Sequence, residues 1–352
     1  MSEFLPNLWF ILIAVLWIGY LFLEGFDLGV GMHMLVSARS ESDRRVMLNT
    51  IGPVWDGNEV WLITAGGAIF AAFPYWYASL FSALYIPLIF VLLGLILRAV
   101  SIEYRGKGHS ARWVSLWTWT LGLGSFVSAF GIGAALALTS TGLPLDKNGD
   151  MTGGPFAWFN GFAVLGGIAV VGFALVHSAN FLALKTDGPV RERAARFAWP
   201  WGIVCLLPIA LWAIWLVVTS GSVLAWVGLV IAVLGAVWWA ISARARKEGQ
   251  AFLALGVFIV IGAAAIFAAM YPAVLPSTTN HAWDLTIHNA ASSTYTLGVM
   301  SVVAAFGVPI VLAYQAWTYW VFRKRLRADI IPENVPFEAA VAPAAGTVPL
   351  AK

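Results

Sequence analysis

Hydrophobic residues occur along this chain in long stretches that short polar segments separate. Each stretch holds about 20 apolar residues, the length that an α-helix needs to cross a bilayer core roughly 30 Å thick. Nine stretches are therefore predicted as membrane-spanning helices, at residues 8–36, 53–73, 76–97, 113–139, 156–182, 199–219, 223–242, 251–270 and 290–322. The alternation of apolar and polar positions that marks the strands of membrane β-barrels is absent. The pattern predicts an all-α polytopic membrane protein.

The composition excludes a soluble enzyme and a disordered chain. Of the 352 residues, 61% are hydrophobic and 11% are charged, whereas soluble domains carry about 25% charged residues. Disorder requires the opposite balance, with low hydrophobicity and high charge. Cys205 is the single cysteine, so an intrachain disulfide and a cysteine-rich metal site are both excluded.

The positions of the basic residues predict the orientation of the helices. With nine spans, successive connections alternate between the two sides of the membrane, and all Lys and Arg residues except Lys147 fall on one side. Membrane proteins concentrate Lys and Arg in cytoplasmic loops, so the N-terminus is predicted outside and the C-terminus inside. Because the 20 basic residues form no dense stripe, the net charge of +3 gives no reason to expect a nucleic-acid partner.

The predicted spans fall into one transmembrane domain, residues 1–327. A four-helix unit used twice accounts for eight of them, with segments 8–139 and 156–270 as the two copies and the helix at 290–322 added after them. Residues 328–352 are rich in Ala and Pro and lack hydrophobic periodicity. We expect them to form a disordered cytoplasmic tail.

Acidic residues inside the predicted spans are confined to the first two spans. Glu24 and Asp27 lie in the first span, and Asp56 and Glu59 lie in the second. A charged side chain at the bilayer centre costs about 3 kcal/mol even on insertion scales, so these residues are expected to face a polar or protein interior. Each pair has i,i+3 spacing, which places both carboxyl groups of the pair on one face of its helix.

All four acids are predicted to lie in the cytoplasmic half of the membrane. The first span runs inward and carries its pair towards the inner end, while the second span begins on the inner side with its pair in the first turns. A series of carboxyl groups that opens to the cytoplasm is suited to carrying protons inward. Two alternatives are open at this point: an ion-coupled secondary transporter, whose acids bind cations near the midplane, and carboxyl groups that only cap helix ends.

Few other residues carry a chemical signal. Arg98, at the inner end of the third span, and His177, near the inner end of the fifth, are the candidates to pair with the acids. No two of the five histidines share a spacing that builds a metal site, so no metal ligands are predicted. The chain also lacks the motifs of nucleophilic catalysis and of phosphate binding, and no catalytic residue is predicted in it.

Two sequence blocks carry a family resemblance. Glu24–Gly31 reads EGFDLGVG, and Asn49–Gly67 reads NTIGPVWDGNEVWLITAGG. Both strongly resemble subunit II of cytochrome bd-type quinol oxidases, and shorter matches such as Phe70–Pro74 extend the resemblance along the chain up to its tail. The resemblance implies a fold of two four-helix bundles plus one additional helix, placed in the bacterial cytoplasmic (plasma) membrane.

The resemblance also implies the function. In that family the complex oxidises quinol and reduces oxygen to water, and the large subunit, subunit I, holds two b-type haems (haem b) and the d-type haem (haem d). The present chain is then expected to ligate no haem, to support assembly and to offer a cytoplasmic path for proton uptake. Quinol and lipid are further expected partners. The sequence leaves open whether small accessory subunits join the complex and whether a structural quinone binds this chain.

Specific residues follow from the matched motifs. The family's proposed proton entry corresponds to Asp56, and Asp27 is the next candidate, with Glu24 and Glu59 as neighbouring acids. The supporting positions in the matched motifs are Trp55, Gly57, Asn58, Trp61 and Arg98. The motif match, the cytoplasmic bias of the acids and the lack of an inverted repeat all favour the oxidase subunit over the ion-coupled transporter.

Overall fold

The computed structural model describes residues 3–108 and 110–327 as a predominantly helical chain. Its eleven α-helices are α1 (Phe4–Val36), α2 (Glu41–Ile51), α3 (Trp55–Ala72), α4 (Pro74–Ala83), α5 (Tyr85–Tyr104), α6 (Ala111–Thr141), α7 (Gly161–Lys185), α8 (Pro189–Ser220), α9 (Val223–Arg244), α10 (Glu248–Met270) and α11 (Thr294–Val321). Strands β1 (Ala273–Leu275) and β2 (Leu285–Thr286) pair antiparallel. The predicted tail, 328–352, lies outside the described residues.

Eight of these helices are long and apolar enough to cross a membrane, namely α1, α5, α6, α7, α8, α9, α10 and α11. Helix α3 has 18 residues, but Asp56, Asn58 and Glu59 in its first turns lower its mean hydropathy. Helices α2 and α4 have 11 and 10 residues, whereas a span needs about 20. This predominantly helical architecture is consistent with the predicted all-α, multi-pass membrane protein.

The segment predicted as a single span at 76–97 contains parts of two helices. Helix α4 ends at Ala83 and α5 begins two residues later. Pro87 accounts for the interruption, because its ring has no N–H for the Ala83 carbonyl and would collide with that carbonyl in a continuous helix. Helix α5 then continues to Tyr104. Arg98 consequently lies well inside a helix rather than at the end of one.

Helix α2 connects α1 to α3 and is an amphipathic element that the hydrophobic stretches do not reveal. Ser40 begins it with a capping box, in which Ser40 Oγ accepts from the Asp43 N–H at 3.1 Å and Asp43 Oδ2 accepts from the Ser40 N–H at 2.9 Å. Val46, Met47 and Ile51 bury its apolar face in a cluster shared with α1, α7 and α8. The helix therefore joins the two halves of the chain.

Helix α1 is central to the packing. It contacts α3 and α6 from the first half of the chain and α7 and α10 from the second half. Two small residues permit this approach: a side chain at Gly29 would overlap the Ala174 carbonyl oxygen of α7, and one at Gly31 would overlap the Ser125 hydroxyl of α6. Helices α7, α8, α9 and α10 pack against one another as a second group.

Helix α11 lies along the outside of these groups, where it contacts α1 and α3. Within the described part of the helix, Leu297 is the only fully buried residue. Near its start, Trp9 Nε1 donates to Leu297 O at 3.2 Å and to Ser301 Oγ at 3.0 Å. Just beyond its end, the Leu326 N–H donates to Lys185 O at 2.8 Å. Polar contacts thus hold a helix that leaves most of its apolar surface exposed.

Candidate proton-carrying site

Charged residues from α1, α3 and α5 meet in the interior of the first group of helices, which comprises α1–α6. Arg98 and Glu24 have 0% side-chain exposure, and Arg98 Nη1 lies 2.7 Å from Glu24 Oε1. Glu59 Oε2 lies 3.5 Å from the same nitrogen, and 16% of its side chain is exposed. Asp27, one turn after Glu24 on α1, is also fully buried. We call Glu24, Asp27, Glu59 and Arg98 the carboxylate cluster.

The carboxylate cluster sets three carboxyl groups around a single guanidinium. One positive charge does not balance three negative charges, and uncompensated charge is costly in surroundings of low dielectric constant. Moreover, Glu24 Oε2 and the Nε and Nη2 atoms of Arg98 are buried without a hydrogen-bond partner in the described chain. The excess of carboxyl groups over guanidinium groups suits this cluster to hold a proton, because protonation removes uncompensated charge.

A chain of neutral polar side chains extends from Asp27 to α11. Asn58 Nδ2 donates to Asp27 Oδ2 at 2.6 Å. The Asn58 carbonyl oxygen accepts from Tyr319 Oη at 2.7 Å and from Gln315 Nε2 at 3.1 Å. Gln315 Oε1 in turn accepts from Trp61 Nε1 at 2.9 Å. Both the amide nitrogen and the carbonyl oxygen of Asn58 thus form hydrogen bonds. These bonds fix the orientation of the N–H group that donates to Asp27.

Gln315 and Tyr319 are residues that the sequence analysis did not identify. They are far from Asn58 in the chain, and i,i+4 spacing places both on one face of α11. An amide inside an otherwise apolar stretch is the signal that was available, since such a group in a membrane span requires a partner. The sequence alone does not show which helix supplies that partner.

Asp56 lies apart from the buried cluster. It is exposed in the first turn of α3, where its Oδ1 accepts from the Gly57 N–H at 2.7 Å. It is one helical turn from Glu59 and close enough to interact with it electrostatically. The order of increasing burial is therefore Asp56, Glu59 and then the Arg98–Glu24 pair.

The other predicted supporting residues have different surroundings. Trp61 packs against α1, since a side chain at Gly19 would overlap its ring. Trp55 is partly buried at the start of α3, and Gly57 is exposed. The structure therefore brings Asn58, Trp61 and Arg98 into the polar interior, whereas Trp55 and Gly57 remain at its edge.

The buried histidines do not join the acids. His177 Nε2 lies 2.8 Å from Phe22 O, and its ring stacks on Phe173 and Phe252 with centroid separations of 5.0 Å and 4.9 Å. His33 Nε2 lies 2.9 Å from Leu175 O. The Nε2 atoms of both residues thus face backbone carbonyls rather than the carboxyl groups of the cluster. No group of three or more His, Cys, Asp and Glu side chains within 3–108 and 110–327 is arranged to hold a metal ion.

Comparisons with known proteins point to one family. A family model described as cytochrome bd terminal oxidase subunit II matches residues 5–322. Cytochrome bd ubiquinol oxidase subunit 2 of Bacillus subtilis (strain 168) is 39% identical over 331 residues, which cover 92% of this chain and 97% of that protein. Cytochrome bd-I ubiquinol oxidase subunit 2 of Escherichia coli (strain K12) is 35% identical over 372 residues, covering 94% of this chain and 98% of that protein.

A solved structure has the same fold. The bd oxidase structure from Geobacillus thermodenitrificans contains a chain that superposes with a TM-score of 0.71 over 90% of this chain and 98% of that one. The two sequences are 20% identical, so this likeness concerns the fold alone.

Proposed function

Because this chain belongs to the cytochrome bd terminal oxidase subunit II family, we propose that it is the subunit without haem ligands in a complex that oxidises quinol and reduces oxygen to water. Membership of the family makes it a multi-pass protein of the bacterial cytoplasmic membrane that works with a subunit I. In this proposal the haems, haem b and haem d, belong to subunit I, and the present chain supports assembly and carries protons.

The proposed arrangement in the membrane has nine spans, the eight long apolar helices together with α3. At a rise of about 1.5 Å per residue, the 18 residues of α3 extend roughly 27 Å, close to the thickness of a bilayer core. The N-terminus then lies outside and the C-terminus inside. The two copies of the four-helix unit, 8–139 and 156–270, correspond to the groups α1–α6 and α7–α10, with α11 added.

The proposed proton path begins at Asp56 and continues through Glu59 to the Arg98–Glu24 pair and Asp27. The observation that carries it is the graded burial of these acids, from an exposed carboxyl group to fully buried ones around a guanidinium. Oxygen reduction consumes protons. If they are drawn from the basic, cytoplasmic side, the reaction builds a proton-motive force without a pump.

The test of the path is Asp56→Asn, an isosteric change at an exposed site. We expect the rate of quinol oxidation by oxygen in the purified complex to fall by about tenfold, less than the 10²–10⁴ that a group at a reacting centre contributes. The fall is limited because Glu59 retains some exposure and still receives protons directly from water. The haem absorption spectrum of the assembled complex should be unchanged.

Glu103→Gln is the matched control, since Glu103 is an exposed acid near the end of α5, outside the carboxylate cluster. Its rate should equal that of the unmodified complex. An unchanged rate in Asp56→Asn would remove Asp56 from the path. Loss of haem together with activity would instead assign Asp56 to assembly. An ion-coupled transporter, which the family match does not favour, would purify without a haem-coloured partner.

A further inference from the structure

A groove of about 730 Å³ lies between the end of α1 and the start of α8. Its lining combines three arginines with apolar and hydroxyl side chains: Val36, Ser37, Arg39, Arg193, Arg196, Phe197 and Trp201. We call it the arginine groove. No part of the proposed oxidase function uses it.

The arginine groove sits where α8 changes from charged to apolar. Residues 191–196 contain four charged side chains, and the helix is apolar from Phe197 onwards. Trp201, one turn later, has 58% of its surface exposed. Arginines followed by an exposed tryptophan are typical of the level at which a helix passes from water into the headgroup region. We therefore expect the groove to lie at the boundary between headgroups and acyl chains.

The charges in the arginine groove are incompletely compensated. Arg193 Nη2 pairs with Asp43 Oδ1 at 2.6 Å, while its Nε is buried without a hydrogen-bond partner in the described chain. Arg196 Nε donates to a backbone carbonyl, that of Glu192, at 3.3 Å. Across residues 3–108 and 110–327, no carboxylate forms a salt bridge with Arg39 or Arg196. The groove thus keeps a net positive charge.

We propose that the arginine groove binds the phosphate of an anionic phospholipid from the adjacent leaflet. Guanidinium groups pair with phosphate oxygens through two parallel N–H···O bonds, and Arg39 and Arg196 have donors available for this. Phe197 and Trp201 then contact the upper part of an acyl chain. A free phosphate ion would use the arginines but leave this apolar half without a partner, and so the lipid is the better fit.

The experiment uses the purified complex in nanodiscs of phosphatidylcholine with increasing fractions of phosphatidylglycerol. Native mass spectrometry counts the phosphatidylglycerol molecules that stay bound to the complex. In Arg39→Gln/Arg196→Gln, we expect affinity for the tightest-bound phosphatidylglycerol to fall about thirtyfold, if each arginine contributes as a basic residue near an anionic membrane usually does. Arg39→Lys/Arg196→Lys keeps the charge and should lose far less.

Arg112→Gln/Lys247→Gln is the matched control, because it removes two exposed charges outside the groove. It should bind phosphatidylglycerol like the unmodified complex. Equal binding by the Arg39→Gln/Arg196→Gln variant, or an equal loss in the control, would overturn the proposal. In a separate arm, inorganic phosphate is added to phosphatidylcholine nanodiscs. The thermal midpoint of unfolding of the complex is measured in this arm. If phosphate alone raises that midpoint as much as phosphatidylglycerol does, the groove binds a free anion and the lipid assignment is wrong.

Discussion

The two groups of helices bury their polar residues in opposite ways. In the first group, α1 and α5 place the ionisable side chains of Glu24 and Arg98 2.7 Å apart in a fully buried setting. In the second group, His177 of α7 is equally buried, but it lies between the rings of Phe173 and Phe252 and bonds a backbone carbonyl. The first interior is charged and the second is neutral and aromatic.

The acids of the second group lie only at helix ends. Asp187 and Glu248 form a network with Arg191 and Arg325, with nitrogen–oxygen distances from 2.7 to 3.7 Å. Both groups nevertheless form well-packed helices. This fold therefore does not need a charged interior to hold helices together, and replacing a buried ion pair by apolar residues is often neutral or stabilising. The difference supports a chemical task for the carboxylate cluster.

The largest effect is expected from Arg98→Gln, which removes the only guanidinium among three carboxyl groups. Breaking one side of a buried ion pair costs about 3–5 kcal/mol, so the yield of assembled complex, measured by haem absorbance, should fall sharply. His177→Gln is the matched change in the neutral group. It should cost about 1 kcal/mol, the size of a single hydrogen bond.

Adding Glu24→Gln to Arg98→Gln should restore part of the yield, because the double variant removes both members of the pair. If Arg98→Gln and His177→Gln lower the yield equally, the contrast between a charged and a neutral interior has no energetic meaning. If the double variant is no better than Arg98→Gln, the loss does not come from uncompensated charge.

An intermediate effect is expected from Tyr319→Phe, which removes one of the two donors to the Asn58 carbonyl oxygen. A hydrogen bond contributes about 1 kcal/mol, so the amide that donates to Asp27 becomes less firmly oriented. We expect the quinol oxidation rate to fall by about fivefold with unchanged haem spectra. Tyr314→Phe, at an exposed position on the same helix, should leave the rate unchanged. A fall in both variants would point to a general effect on α11.

The smallest effect concerns the charged contact between the two groups outside the membrane. Burial raises the pKa of Asp43, but the backbone N–H groups of Arg39 and Ser40 together with the Arg193 guanidinium outweigh it and hold that pKa below its ordinary value. A carboxyl group whose pKa is lower in the folded state stabilises the fold when ionised. Its contribution is complete at neutral pH and is lost as the pH falls below about 4.

Asp43→Asn should therefore lower the thermal midpoint at pH 7, by an amount that corresponds to about 1 kcal/mol, the size of a helix cap. The difference in midpoint between the two proteins should shrink as the pH falls towards the pKa of the folded state. A difference that persists unchanged at the lowest pH would mean that Asp43 acts through packing rather than charge. Asp150→Asn, in the connection between α6 and α7, is the matched change outside this contact.

Much of the fold was predictable because its signals are local. Apolar stretches mark the long helices, and the i,i+3 spacing of Glu24 and Asp27 indicates one shared face. The break between α4 and α5 could also have been predicted, since Pro87 has no N–H to donate to the Ala83 carbonyl. The polar contacts of α11 could not be predicted, because Gln315 lies 257 positions from Asn58 in the chain. No pattern of spacing connects residues that far apart.

The sequence by itself determined that its long apolar segments become helices and that acids lie among them. In a bilayer every backbone polar group needs a partner within the protein, and an apolar stretch of sufficient length finds it by forming a helix. Tertiary structure decided which side chains meet: Arg98 with Glu24, and Asn58 with both Asp27 and α11. These contacts depend on how each helix is rotated about its axis and on how closely it approaches its neighbours. Close packing at small residues such as Gly29 determines both the rotation and the distance.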